Sequence, residues 1–131
     1  MVYLVDDDED DLEIVQAALL NNSYKGPVDT ASNGQVLLER LNEQDRTQTP
    51  KVIVLDLNMP LKNGFETLAE IRTNPLLKGI PVIILTASSK KEDEIRCFEL
   101  GCNYFCSKPS KMEDYVPIVM VIKRFLTAQI A

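Results

Sequence analysis

The chain of 131 residues contains no histidine. That absence removes Ser-His-Asp and Cys-His catalysis within the chain, and it excludes a phosphohistidine on it. Cysteine is scarce, and Cys97, Cys102 and Cys106 make an odd number. Without histidine or a second cluster they do not complete a structural zinc site, so they are expected as reduced, buried or half-buried thiols. No apolar run approaches the roughly 20 residues that span a bilayer; the longest, 52–55 and 81–85, have strand length. Residues 1–5 are too short for a signal peptide and lack its basic flank, so the protein is expected in the cytoplasm with no membrane partner. No G-x-G-x-x-G follows the first apolar run, because Asp6-Asp7-Asp8 stands there, and a dinucleotide-binding fold is dropped.

Basic charge is also in deficit, with 14 Lys and Arg against 20 Asp and Glu. Seven of the acids crowd one stretch: Asp6, Asp7, Asp8, Glu9, Asp10, Asp11 and Glu13. Set aside, they leave 14 basic and 13 acidic residues, so the acidity is local. Such a cluster repels phosphate backbones, which argues against nucleic-acid binding, and attracts a divalent cation. It is not a calcium loop of the helix–loop–helix type. Counted from Asp6, the sixth position holds Asp11 instead of Gly and the twelfth Ala17 instead of Glu. Asp8 to Asp11 are read as cap and first-turn acids of a helix and are left outside the site.

What is present is alternation. Strand-like runs at 2–5, 28–31, 51–56, 81–85 and 103–106 interleave with helical spacing at 8–22, 35–42, 65–73, 90–100 and 112–128. Residues 43–50 are polar and read as a loop. The 45% hydrophobic content suits one core, and the whole chain, 1–131, is expected to be one domain without an output domain. Continuous apolar strands imply a parallel sheet covered on both faces, hence an α/β doubly wound sandwich. Ligands of such sheets bind at the carboxyl ends of the strands. Those ends carry Asp6-Asp7, Asp56, Thr86 and Ser107-Lys108. Three carboxylates, a hydroxyl and an ammonium meeting there suit a hard cation such as Mg²⁺, with Asp as a nucleophile toward phosphorus.

Four separated motifs, Val5-Asp6-Asp7, Val54-Leu55-Asp56-Leu57-Asn58-Met59-Pro60 with Gly64, Leu85-Thr86-Ala87 and Ser107-Lys108-Pro109, resemble the receiver domain of two-component response regulators. The likeness runs over essentially the whole chain, in a stand-alone form similar to chemotaxis-type and phytochrome-linked regulators. It implies a flavodoxin-like (βα)5 sandwich with parallel strand order 2-1-3-4-5. It further implies that Asp56 is the phosphoacceptor, that Asp7 binds Mg²⁺ directly with Asp6 helping through water, and that Asn58 offers its backbone carbonyl. Thr86 becomes the switch hydroxyl, Lys108 the partner of a phosphoryl oxygen, and Phe105 the aromatic switch. The Lys108–Pro109 bond is expected to be cis. The partner would be a histidine kinase or phosphotransfer protein, with an unknown downstream protein target and a monomer or phosphorylation-dependent homodimer as the working form.

On this reading the protein is a phosphorylation-switched binding module and not an enzyme beyond Mg²⁺-dependent self-phosphorylation and slow self-dephosphorylation. One alternative is an adaptor receiver that is never phosphorylated. Another, less favoured, is a haloacid-dehalogenase-type phosphatase, which wants a carboxylate where Asn58 stands.

Overall fold

A computed structural model describes residues 1–43 and 49–128. Most of the polar stretch expected as a loop at 43–50 lies outside the described residues.

Three of the strands are buried along their whole length: β1 (Val2–Val5), β3 (Val52–Leu55) and β4 (Val82–Thr86). They form the middle of a parallel sheet of order β2-β1-β3-β4-β5, with the less apolar β2 (Val28–Ala31) and β5 (Tyr104–Ser107) at its edges. The sheet is the expected flavodoxin-like, doubly wound one. Alternate side chains of the strands enter different cores. Tyr3, Val5, Ile53, Leu55, Val82 and Ile84 pack against α2 (Gly34–Glu43), α3 (Gly64–Thr73) and α4 (Lys91–Leu100). Their neighbours Val2, Leu4, Val52, Val54, Ile83 and Leu85 pack against α1 (Glu9–Asn21) and α5 (Val116–Ala128). A strand flanked on both sides has no face to leave polar, which is why these runs are continuous rather than alternating.

Helix ends follow local chemistry. Asp8 caps α1, its carboxylate accepting from the N–H groups of Asp10 at 2.9 Å and Asp11 at 3.3 Å. Asn63 and Glu66 form a reciprocal capping box at the start of α3. Gly101 closes α4 in the left-handed region at φ 103°. Packed on Gly101, Arg72 donates to the carbonyls of Gly101 and Ile80, both at 2.8 Å, and to the Asn103 side-chain oxygen at 2.8 Å. This ties the amino ends of β4 and β5 together.

Two expectations are corrected. The single helix expected over 112–128 is a 3₁₀ turn, Met112–Tyr115, followed by α5. Pro117 has no N–H to give the preceding turn, and it sits where a new helix needs none. Strand β5 begins at Tyr104 and not at Asn103, because the Asn103 side chain is committed, accepting from the Val82 N–H at 2.8 Å. In α4, Ile95 and Phe98 face outward and Cys97 is the buried residue.

Candidate functional site at the carboxyl edge of the sheet

Register builds the site. Val5 pairs with Leu55 across β1 and β3, so the next residues, Asp6 and Asp56, leave the sheet side by side. The Asp56 N–H continues the ladder to the Val5 carbonyl at 3.0 Å. Thr86 ends β4 opposite Ser107, and the Lys108 N–H donates to the Thr86 carbonyl at 2.7 Å. Four separate segments are thereby delivered to one edge by backbone pairing alone.

Asp6 is 7% exposed and Asp56 5%, whereas Asp7 lies open to solvent. One carboxylate oxygen from each of the three lies within 4.8 Å of the others. The Lys108 Nζ approaches Asp6 Oδ2 at 2.8 Å and Asp56 Oδ2 at 3.4 Å. Burial pushes the Asp6 carboxyl up to about 6, against the Lys108 and Asp8 N–H hydrogen bonds that favour its anion; the Asp56 charge pushes the same way as burial. At Lys108 burial opposes the ammonium, but its hydrogen bonds to Asp11 and Asp6 and the charge of Asp56 outweigh it, and its pKa is raised.

The acid cluster is therefore short of positive charge. Its donors are all hard oxygens, a set that fits Mg²⁺ or a similar cation and offers nothing soft.

Gly64 is needed at the foot of the site. A Cβ there would stand 2.3 Å from the Asp56 carbonyl oxygen and 2.7 Å from the Leu57 Cα. The Gly64 N–H instead closes the loop onto the Leu57 carbonyl at 2.9 Å. The Leu57 N–H donates to Asp56 Oδ1 at 2.8 Å and fixes that carboxylate.

Other expected residues fall nearby in different settings. Thr86 is fully buried, its hydroxyl accepting from the Ser88 N–H at 3.4 Å. Asn58 is exposed on the loop after β3 and lines a cleft with Ala87, Ser88, Lys90 and Asp93. Phe105 is half-buried against the core under α2, α3 and α4. The Lys108–Pro109 bond is trans, contrary to expectation, since no cis peptide occurs among the described residues. The lysine's backbone bond to Thr86 and its carboxylate partners aim it into the cluster with the ordinary peptide geometry.

Two features were missed from the sequence. Asp11, set aside as a first-turn acid, accepts from Lys108 Nζ at 2.7 Å. Its spacing gave a signal: Asp11, Val15, Ala18 and Leu19 share the helix face that is buried. The second is a hydrogen-bond chain on the loop after β4. Ser107 Oγ donates to the Ser88 carbonyl at 3.0 Å, and Ser88 Oγ donates to Asp93 at 2.6 Å. The three thiols are free, and burial raises them to about 12 for Cys97 and about 11 for Cys102 and Cys106, too high for nucleophiles.

Comparison with known proteins identifies the family and the fold. The family model described as "Response regulator receiver domain" matches residues 2–120. Response regulator Rcp1 of Synechocystis is 34% identical over 128 residues, covering 95% of this chain and 87% of that protein. The Mn²⁺-bound form of Rcp1 superposes with a TM-score of 0.78 over 95% of this chain and 92% of that one, at 34% identity. The phosphorylated cyanobacterial phytochrome response regulator RcpA superposes with a TM-score of 0.83 over 95% of this chain and 91% of that one, at 33% identity. The chain belongs to the response regulator receiver family of two-component signalling.

Proposed function

We propose that this receiver domain accepts a phosphoryl group on Asp56 from a phosphohistidine of a partner histidine kinase or phosphotransfer protein, and that the modification changes which protein it binds. The observation that carries the reading is the juxtaposition of Asp6, Asp7 and Asp56 with the Lys108 ammonium. The acids can hold a divalent cation beside Lys108, and those positive charges, not the acids, would offset the charge of an anionic entering group. The printed descriptions of the relatives support it, one as phosphorylated and one as Mn²⁺-bound.

Asp6, Asp7 and Asp56 with the Asn58 carbonyl would hold Mg²⁺, which would offset charge on the phosphoryl oxygens. Asp56 Oδ attacks phosphorus; the new O–P bond forms as the P–N bond to the donor imidazole breaks, and that nitrogen leaves with the electron pair. Lys108 transfers from carboxylate to phosphoryl oxygen, and the Thr86 hydroxyl donates to another. No carboxylate stands at position 58 to activate water, so the acyl phosphate hydrolyses slowly. Movement of Thr86 and Phe105 biases a two-state equilibrium of the surface made by α4, β5 and α5. There Phe98, Tyr104 and Met120 are 49%, 41% and 43% exposed. No described helix is long and apolar enough to cross a membrane, and the cytoplasm is the proposed place of work.

The test is incubation with Mg²⁺ and acetyl phosphate followed by intact mass measurement. One acid-stable, base-labile phosphoryl addition is expected on the wild type and none on Asp56→Asn. No addition to the wild type, or equal addition to both, contradicts the reading.

A further inference from the structure

Lys108 has three donors, and the shortest of its three carboxylate contacts is not to either buried acid of the cluster. It is to Asp11 at 2.7 Å, against 2.8 Å to Asp6 and 3.4 Å to Asp56. Asp11 is the third residue of α1, on the face turned toward the sheet, and it lines one crevice with Asp6, Asp56, Val54 and Leu85. Its side chain is 25% exposed, so its bond to Lys108 is only partly screened by water. Nor does Asp11 belong with the three acids whose oxygens converge for a cation. Its charge is therefore directed at the lysine.

We infer that Asp11 is a positioning residue for Lys108: it draws the ammonium to the α1 side of the crevice and keeps it from closing onto Asp56. The inference rests on the proposed role of Asp56. An ammonium bound tightly to Asp56 would shield the attacking oxygen and repel a divalent cation from the same carboxylates. Asp11 leaves that oxygen available while holding the lysine one short displacement from an incoming phosphoryl group. Asp6 alone does not do this, because it is itself one of the converging acids and would share its oxygens with the metal.

The test has two arms. The first is the crystal structure of Asp11→Asn without metal, in which the Lys108 Nζ is expected to move within about 3 Å of Asp56. A lysine left in place overturns the inference. The second is a double-mutant cycle of Asp11→Asn and Lys108→Met read by Mg²⁺ affinity in calorimetry. With Lys108 present, Asp11→Asn is expected to weaken Mg²⁺ binding about tenfold; with Lys108→Met the same change should cost under about threefold, the direct charge effect alone. Equal factors in both backgrounds overturn it, and Asp11→Glu should restore most of the affinity. A wild type that takes neither Mg²⁺ nor a phosphoryl group would defeat the proposed function, while the metal-free structure would still decide whether Asp11 places the lysine.

Discussion

Two cations sit at opposite ends of the same sheet and are held in different ways. At the amino ends of β4 and β5, Arg72 meets neutral oxygens: the carbonyls of Gly101, Ile80 and Lys78 and the amide of Asn103. At the carboxyl ends, Lys108 meets three carboxylates. The guanidinium's planar fork matches several fixed acceptors at once, so its donors are met by oxygens that the backbone already holds in place. The lysine is a point charge outnumbered by its partners, and it can exchange one oxygen for another with little geometric penalty. One end is built to stay as it is, and the other to be rearranged by an arriving cation and anion.

The largest separation between the ends should come from Asp56→Asn. Phosphoryl acceptance should vanish in the mass assay while the melting temperature holds or rises, because a carboxylate is removed from a crowded cluster. A lower melting temperature in metal-free buffer would mean that Asp56 supports the fold. Arg72→Met should do the reverse. Losing its hydrogen bonds strands the half-buried carbonyls of Gly101 and Ile80 and should cost about 2 kcal/mol in denaturant unfolding, with acceptance at Asp56 retained on the folded protein. If acceptance falls with it, the two ends are not independent.

A smaller effect is expected from metal. Mg²⁺ at 100 times its Kd should stabilise the wild type by about 2.7 kcal/mol and Arg72→Met by the same amount. Stabilisation lost in Arg72→Met would place the metal elsewhere. The smallest effect concerns pH. The folded Asp6 carboxyl, at about 6, lies above its ordinary value of 3.8, so its proton favours the folded state. That stability is complete below about pH 4 and lost as pH rises through about 6. Unfolding free energies of metal-free wild type should decline relative to Asp6→Asn over that window, and parallel curves would show Asp6 to be ordinary.

The ends differed in legibility too. Strands with both faces covered are continuous apolar runs, so β1, β3 and β4 could be read directly, and so could the acids that end them. Arg72 could not, since its partners are backbone carbonyls that any sequence supplies. Asp11 was hidden by a sufficient local explanation: an acid in a first helical turn already has a role. Only its register with Val15 and Leu19 pointed inward. The break before α5 was marked by Pro117, but the apolar spacing of Ile118, Val119 and Ile122 ran on past it. Ile95 and Phe98 kept helical spacing yet face outward, because α4 covers the sheet near its edge with Cys97 alone fully buried.

The claim on which all this turns is that Asp56 is the oxygen nucleophile of the site. Borohydride reduction of the protein after treatment with Mg²⁺ and acetyl phosphate converts an aspartyl phosphate to homoserine, which peptide sequencing by mass spectrometry locates. Homoserine at position 56 and nowhere else is the predicted result. Homoserine at another aspartate, or a phosphoryl group found on a hydroxyl residue, would contradict it.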